Sequence, residues 1–226
     1  MGRGRYPARL KVSPPPPELA ERYLLVWPAR ELYAEPERFP PVSSPALFGD
    51  DRPLELDIGC ATGDLVLALA RLRPEANYLG LDIVAKPLWR AVERAAAADL
   101  ANVKFLQADA RLVYRQIPDG ALRAAYVHFP APLLSNRKRN QLLISPALLA
   151  TMERCLEPGG ILSVMTDQEA LYEELLALLP DAPLLHLLPP DDWSVTMTEL
   201  LKSHYHRRWE AKGRPIFRAE LVRSEE

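Results

Sequence analysis

The segment from Leu54 to Gly63 constrains the fold of this chain more than any other part of the sequence. An apolar run ends near Asp57 and passes through Gly59 and Gly63 into a stretch rich in alanine and leucine, and a second apolar run ends at Asp82. A strand, a glycine turn, a helix and a second strand form a βαβ unit whose glycines let the backbone approach a ligand. The pattern predicts a nucleoside-binding site in which Asp82 accepts hydrogen bonds from ribose hydroxyls.

The spacing of the glycines distinguishes between cofactors. A dinucleotide fingerprint reads G-x-G-x-x-G and places a pyrophosphate on a helix N-terminus, whereas Gly59 and Gly63 follow a different spacing and Asp57 stands before the turn. A carboxylate there repels a pyrophosphate and attracts a cation. S-adenosylmethionine carries an ammonium, a sulfonium and an adenosine, so the loop predicts this cofactor. The alternative is an ordinary βα turn with structural glycines.

The composition argues against several classes of protein. The net charge of −2 over 226 residues is not that of a globally basic nucleic-acid binder, so any RNA affinity must come from local patches. The positions of the two cysteines do not suggest a disulfide framework, and no cysteine and histidine spacing indicates a metal site. With no signal peptide and no membrane-spanning apolar run, we expect a cytoplasmic protein without a membrane partner. The oligomeric state stays open.

The chain divides into two regions. Residues 1–50 hold many of the 23 prolines and show no steady period, which predicts an extended, partly ordered N-terminal arm. The basic start of the arm is either phosphate-seeking or an ordinary solvated terminus. Residues 51–226 are predicted to form the cofactor-binding domain, because apolar runs alternate with helical stretches there, as in a parallel sheet covered on both faces. Strands are predicted at 54–58, 77–82, 103–107, 122–128 and 160–165, with further apolar runs at 183–188 and 215–222, and helices at about 63–72, 85–98, 110–116, 141–156 and 168–179.

Chemically informative residues fall at the carboxyl ends of the predicted strands, where parallel sheets bind their ligands. Asp57 and Asp82 end two of these strands, and the Phe129-Pro130 turn follows a third. Asp109 follows the strand at 103–107 and is predicted either to contact the adenine or to cap the next helix, two roles that are compatible. Near the C-terminus, residues 203–218 interleave basic side chains with aromatic ones, a pattern suited to phosphates and base stacking.

Several short motifs occur in a fixed order along the chain. They read D-I-G with Gly63, G-L-D at 80–82, A-D-A at 108–110, F-P-x-P at 129–132 with Arg137, T-D at 166–167 and G-R-P-I at 213–216. This series resembles the bacterial tRNA (guanine-N7)-methyltransferases, which read E-I-G-x-G-x-G, G-[IL]-[ED], A-D-A, F-P-D-P-W-x-K-x-R, T-D and G-x-x-[IV]. The resemblance extends from Pro45 to Val222. The first motif is generic to methyltransferases, and the F-P-x-P, T-D and G-x-P-I motifs together are specific.

The resemblance implies an α/β fold of the Rossmann-like class I methyltransferase type. Its sheet is expected to be mostly parallel and seven-stranded, with helices on both faces and an antiparallel C-terminal hairpin. The implied reaction transfers a methyl group from S-adenosylmethionine to N7 of a variable-loop guanine in tRNA. The cofactor-binding residues implied by the resemblance are Asp57, Gly59, Gly63, Asp82 and Asp109.

The substrate side departs from the family pattern. Ala131 stands at the position of the family's acid, so no catalytic residue is assigned. Ser135 replaces a lysine, and His206 replaces the glutamate of the family's T-x-[YF]-E motif, which begins here at Ser203. The implied substrate-binding residues are Asp167, Ser135, Arg137, Ser203 and His206. The tRNA backbone is expected to contact Arg137, Lys138, Arg139, Lys202, Arg207, Arg208, Lys212 and the N-terminal arginines.

Loss of the acid at Ala131 does not exclude the reaction, because guanine N7 carries a lone pair and no proton. Alignment of N7 with the methyl group supplies much of the acceleration, while loss of one stabilising contact costs roughly a hundredfold. Asp167 is the first candidate to hold the base. His128 and His206 are weaker candidates, with ordinary strand-end or surface histidines as the alternative. Two further hypotheses stay open: a methyltransferase with another RNA or a small-molecule substrate, and a non-catalytic member of the family.

Overall fold

A computed structural model of the protein describes residues 10–130, 143–194 and 198–225. The predictions for Ala131, Ser135 and Arg137, and those for Lys138, Arg139 and the arginines at positions 3, 5 and 9, lie outside these residues. The strands are β1 Leu24–Val26, β2 Leu54–Ile58, β3 Asn77–Asp82, β4 Val103–Gln107, β5 Leu122–His128, β6 Leu156–Thr166, β7 Leu185–Leu187 and β8 Phe217–Arg223. The helices are α1 Pro17–Tyr23, α2 Ala29–Ala34, α3 Ser44–Phe48, α4 Asp64–Leu72, α5 Ala85–Ala97, α6 Ala110–Val113, α7 Pro146–Cys155, α8 Glu169–Leu178 and α9 His204–Glu210.

All of these strands belong to one sheet, in the order β1-β4-β3-β2-β5-β6-β8-β7. Strands β1 to β6 run parallel to one another, and β8 runs antiparallel to both β6 and β7. This arrangement confirms the predicted α/β fold with an antiparallel C-terminal hairpin. Because β1 to β6 are parallel, the carboxyl ends of β2, β3, β4, β5 and β6 meet at one edge of the sheet, which is where the predicted site residues lie.

The sheet has one strand more than the seven predicted. Strand β1 comes from the proline-rich N-terminal region and pairs with β4, with Leu24 opposite Phe105. The backbone N–H of Trp27 extends this pairing by donating to the Gln107 carbonyl over 3.0 Å. A strand of three residues between prolines carries no alternating pattern, so the sequence did not reveal it. The division of the chain at residue 50 stays a prediction.

Both faces of the sheet are buried, as expected for a parallel sheet. On β3, Leu79 and Leu81 belong to one apolar cluster, while Tyr78 belongs to the cluster on the other face. All five residues of β2 are buried, including the acids Glu55 and Asp57. The strand that carries the first motif is therefore held rigidly at the centre of the molecule.

Candidate cofactor and substrate site

The turn after β2 is shaped by residues with positive φ. Gly59, Ala61 and Gly63 have φ values of +85°, +50° and +70°. A Cβ atom on Gly63 would lie 2.9 Å from the Phe105 ring and 3.1 Å from the Cβ of Ala91. The glycine at position 63 thus permits close packing at the start of α4 as well as the left-handed turn.

Asp57 lies at the carboxyl end of β2 and is 5% exposed. Among the described residues, none donates a hydrogen bond to its carboxylate. Burial, together with the nearby carboxylates of Asp82 and Asp64, raises the pKa of Asp57 to about 8. The anion at this position is therefore poorly stabilised by the protein itself, and a cation beside it would be strongly attracted.

Asp82 ends β3 and faces the same turn. Its Oδ2 accepts a hydrogen bond from the Ala61 N–H over 3.0 Å, and its Oδ1 accepts one from the Val84 N–H over 2.8 Å. Burial nevertheless raises the pKa of Asp82, although these backbone donors lower it. Because each carboxylate oxygen can accept a second hydrogen bond, Asp82 can hold the turn and bind a hydroxyl group at once.

Asp109 caps helix α6, which is one of the two compatible roles predicted for it. Its Oδ1 accepts a hydrogen bond from the Arg111 N–H over 3.1 Å. The Arg111 guanidinium also pairs with Oδ2 over 2.5 Å, and this hydrogen bond lowers the pKa of Asp109. The contact with adenine stays a prediction.

A pocket opens between the first motif and the start of α9. Its walls are the Asp57–Leu65 segment on one side and Ser203–Tyr205 on the other, with His128 between them. Ser203, predicted to bind substrate, therefore lies beside the predicted cofactor turn. Its hydroxyl oxygen also accepts a hydrogen bond from the His206 N–H over 3.2 Å and so caps α9.

Asp64 links the two walls of this pocket, and sequence reasoning missed it. Its Oδ2 accepts a hydrogen bond from the His204 N–H over 2.8 Å, and its Oδ1 pairs with Arg94 over 2.5 Å. The Arg94 guanidinium also donates to the Thr62 carbonyl over 2.7 Å. No short sequence pattern could have revealed a contact between residues 140 positions apart.

Two histidines lie near the ends of β5 and α9. The Nε2 atom of His128 is 3.1 Å from the Ser163 hydroxyl, and burial lowers the pKa of His128 to about 3 with the help of Arg218. Burial also lowers the pKa of His206. Its ring meets the Phe129 ring edge-on, with 5.7 Å between ring centres, and no described residue bonds its Nδ1. Both imidazoles are therefore neutral at pH 7.

Asp167 connects two of the motifs that carry the resemblance. Its side chain is 2% exposed, and its Oδ2 pairs with the Arg214 guanidinium over 3.0 Å. Asp167 belongs to the T-D pair after β6, and Arg214 belongs to the G-R-P-I segment before β8. The structure thus brings these two motifs into contact beside the predicted site.

A basic and aromatic cluster covers the outer side of α9. Trp209 is buried, and its ring is flanked by cations at 5.2 Å (Arg208), 5.1 Å (Lys212) and 4.3 Å (Arg214). We call these four residues the Trp209 cluster. Each of these cations is attracted to the face of the Trp209 ring.

Neither a metal-binding cluster nor a membrane-spanning helix occurs among the described residues. Within residues 10–130, 143–194 and 198–225, no group of three or more histidine, cysteine, aspartate or glutamate side chains is arranged to hold a metal ion. No helix in these ranges combines the length and the apolar character needed to cross a bilayer.

Comparison with known proteins gives a consistent picture. Residues 51–219 match a family described as putative methyltransferase. The tRNA (guanine-N(7)-)-methyltransferase of Chloroflexus aurantiacus is 56% identical over 216 residues, which cover 96% of this chain and 95% of the relative. The enzyme of the same name from Rubrobacter xylanophilus is 44% identical over 215 residues, covering 95% and 96%.

Solved structures agree on the fold. The 16S rRNA methyltransferase KamB superimposes with a TM-score of 0.53 at 20% identity, covering 76% of this chain and 88% of KamB. The [4+2]-cyclase SpnF gives a TM-score of 0.53 at 20% identity, covering 92% and 78%. Because a methyltransferase and a cyclase share this fold, the fold alone does not determine the reaction.

Proposed function

This chain belongs to the tRNA (guanine-N7)-methyltransferase family, and from that premise we propose that it transfers a methyl group from S-adenosylmethionine to N7 of a variable-loop guanine in tRNA. Membership rests on similarity over nearly the whole chain. A cytoplasmic location follows from the tRNA substrate.

The observation that carries the cofactor proposal is the unpaired state of Asp57 among the described residues. Glu55, two positions earlier on the same strand, accepts hydrogen bonds from the Arg123 guanidinium over 2.9 Å and the Tyr126 hydroxyl over 2.8 Å. Asp57 is also buried but has no such donors, and burial holds its pKa at about 8. A buried carboxylate without a partner is costly unless a ligand supplies the charge. The ammonium and sulfonium of S-adenosylmethionine fit this need.

The remaining cofactor contacts follow from the turn around Asp57. The backbone at Gly59 and Gly63 allows close approach, Asp82 has lone pairs for ribose hydroxyls, and Asp109 lies at the next strand end for the adenine. When bound, S-adenosylmethionine supplies an electrophilic methyl group. The residues of this chain hold that group at the strand ends.

Guanine N7 attacks through its lone pair, so the protein needs to position the base and does not need to remove a proton. Phe129 and His206 pack edge to face beside the end of β5, and the Nδ1 atom of His206 is buried there without a bond to any described residue. Asp167 is the buried carboxylate proposed to hold the base or to fix Arg214 beside it. Positive charge that develops on the guanine ring is stabilised by such a carboxylate.

The tRNA backbone is proposed to lie along α9. The Trp209 cluster presents the exposed cations Arg208 and Lys212, while Arg214 is already paired with Asp167. It follows directly on the segment Ser203–Tyr205 that lines the pocket. In a chain whose net charge is −2, such a local cluster supports an anionic partner. Ser135 and Arg137, which lie outside the described residues, remain proposed substrate contacts on the strength of the motif.

The direct test measures transfer of labelled methyl from S-adenosylmethionine to tRNA that lacks N7-methylguanosine, followed by nucleoside analysis. We expect N7-methylguanosine in the product, loss of the signal in Asp57→Asn, and a strong reduction in Asp167→Asn. Asp119→Ala, which removes an exposed partner of Arg154, is the matched control and retains activity.

The same assay separates the other hypotheses. Label found in another nucleoside or in a small molecule would replace the proposed substrate. Cofactor binding without transfer to any RNA pool would identify a non-catalytic member of the family.

A further inference from the structure

The carboxylate of Asp64 joins three parts of the chain that are distant in sequence. One oxygen accepts the His204 N–H at the start of α9, and the other pairs with Arg94 on α5. Arg94 in turn holds the Thr62 carbonyl in the turn after β2. We call the Asp64 and Arg94 side chains, with the backbone of Thr62 and His204, the Asp64 clasp.

The clasp spans the pocket from wall to wall. Thr62 and Asp64 belong to the wall made by the first motif, and His204 belongs to the opposite wall. The Asp64 side chain is 19% exposed; its bond to Arg94 is partly buried, and its bond to the His204 N–H lies at an exposed position. Hydrogen bonds to a charged group are stronger than neutral ones, particularly where solvent is reduced. The Asp64 carboxylate thus bonds directly to the backbone of the opposite wall.

We propose that Asp64 is a positioning residue that fixes the distance between the two walls and thereby sets the affinity for the cofactor. The inference rests on the proposed function in one respect, because it takes S-adenosylmethionine as the ligand. Asp64 acts through the Ser203–Tyr205 wall and needs no contact with the cofactor itself.

The negative charge of Asp64 offers a different explanation for an effect on cofactor affinity. Asp64 is an anion close to Asp57 and contributes to the raised pKa of Asp57. Its charge alone could attract a cationic ligand without any effect on the walls. The two explanations predict different results for the same set of variants.

The experiment is isothermal titration calorimetry of the full chain with S-adenosylmethionine and, separately, with S-adenosylhomocysteine, which lacks the sulfonium charge. For Asp64→Ala we expect affinity about tenfold weaker for both ligands, because the hydrogen bond to His204 is lost. Asp64→Asn keeps an oxygen that accepts the His204 N–H and is expected to bind within about threefold of wild type. Asp119→Ala is the control for loss of an exposed acid that pairs with an arginine.

Arg94→Met gives the sharpest distinction. The clasp predicts several-fold weaker binding, because Arg94 orients Asp64 and holds the Thr62 carbonyl. Simple charge attraction predicts tighter binding, because the Asp64 charge would no longer be neutralised by Arg94. It also predicts that Asp64→Asn is as weak as Asp64→Ala, with a larger loss for S-adenosylmethionine than for S-adenosylhomocysteine. Either pattern overturns the inference.

Thermal unfolding of each variant identifies a loss of folding, and Asp64→Asn and Arg94→Met keep the inference testable if Asp64→Ala does not fold. Wild-type protein that binds neither ligand overturns the proposed cofactor, and the inference with it. Wild-type binding together with unchanged binding by Asp64→Ala overturns the inference alone.

Discussion

The two ends of strand β2 each bury an acid, and the chain treats the two acids differently. Glu55, near the start of the strand, is 1% exposed and is bonded by Arg123 and Tyr126. Asp57, near the carboxyl end, is 5% exposed and faces the carboxylates of Asp82 and Asp64. The first acid is compensated within the chain, and the second is left for a ligand.

The difference shows how one strand serves stability and function together. At the end of β2 remote from the pocket, the acid and its partners close a polar network inside the fold. At the pocket end, the cost of an uncompensated acid is retained because it creates attraction for a cation. Perturbed ionisable groups of this kind are typical of functional sites.

The largest expected effect concerns Asp57, the acid at the pocket end of β2. Asp57→Asn removes the carboxyl group that can ionise beside the cationic cofactor, and we expect affinity for S-adenosylmethionine to fall roughly a hundredfold or more. Glu55→Gln leaves the pocket unchanged and is expected to bind the cofactor normally once folded. Calorimetric titration of both variants checks this prediction. Similar losses in the two variants would contradict the division of roles.

The same pair of variants should change stability in opposite directions. Glu55→Gln leaves Arg123 without its buried anion and is expected to lower the free energy of unfolding by roughly 2–4 kcal/mol. Asp57→Asn removes an acid whose burial is unfavourable and is expected to raise that free energy by roughly 2–4 kcal/mol at pH 7 without cofactor. Urea unfolding of the ligand-free proteins measures both. A destabilised Asp57→Asn would show that Asp57 has a structural partner.

The stability gain expected for Asp57→Asn depends on pH. The pKa of Asp57 rises from the usual 3.8 of an aspartate to about 8, so between these values the folded state retains a proton that the unfolded state has lost. The contribution of Asp57 to the free energy of unfolding of the wild type therefore becomes less favourable as pH rises through that range. We expect the advantage of Asp57→Asn to be near zero at pH 4 and to level off above pH 8. A constant difference across this range would contradict the assignment.

A smaller effect concerns the turn that begins at the pocket end of β2. Gly63→Ala places a Cβ atom 2.9 Å from the Phe105 ring at a φ of +70°, so we expect a loss of roughly 2–3 kcal/mol in the free energy of unfolding. Gly49→Ala is the matched control, since Gly49 has a φ of +77° with nothing within 4 Å of the added atom. Its loss should be about 1 kcal/mol, from the backbone alone. Equal losses would remove the packing argument.

The smallest expected effect concerns the cations of the Trp209 cluster, which are proposed to bind tRNA and not the cofactor. Arg208→Gln and Lys212→Gln each remove one exposed cation from the Trp209 cluster. We expect tRNA affinity to fall several-fold for each, with a salt slope smaller by about one per lost phosphate contact, while cofactor affinity is unchanged. Filter binding at several salt concentrations measures the slope. Arg38→Gln, which removes an exposed cation in the N-terminal region, is the control.

The elements that follow the first motif could be predicted from the sequence because their apolar periods are local. Strands β2, β3, β4 and β5 have the predicted bounds, and α4 begins one residue later than predicted. The approach of Asp82 to the turn after Asp57 also followed from the rule that parallel strands end at one edge. Such features depend on short segments and on one topological rule.

Contacts between distant segments could not be predicted in this way. Strand β1 was missed because three residues give no period, and the clasp between Asp64 and His204 was missed because nothing in either segment specifies the other. That Ser203 lies beside the first motif could not be predicted either, and its role in binding substrate stays a prediction. The Arg111 partner of Asp109 was equally invisible, although the helix cap itself was predicted.

The position of β8 has a consequence for how the protein is made on the ribosome. This strand, at Phe217–Arg223, lies between β6 and β7 although it comes last in the chain. The parallel part of the sheet can form while synthesis continues, but among the described strands β7 pairs only with β8 and has no neighbour until Phe217–Arg223 emerge from the exit tunnel. A premature stop just before Phe217 would therefore leave β6 with an open edge late in biogenesis, a state prone to intermolecular pairing.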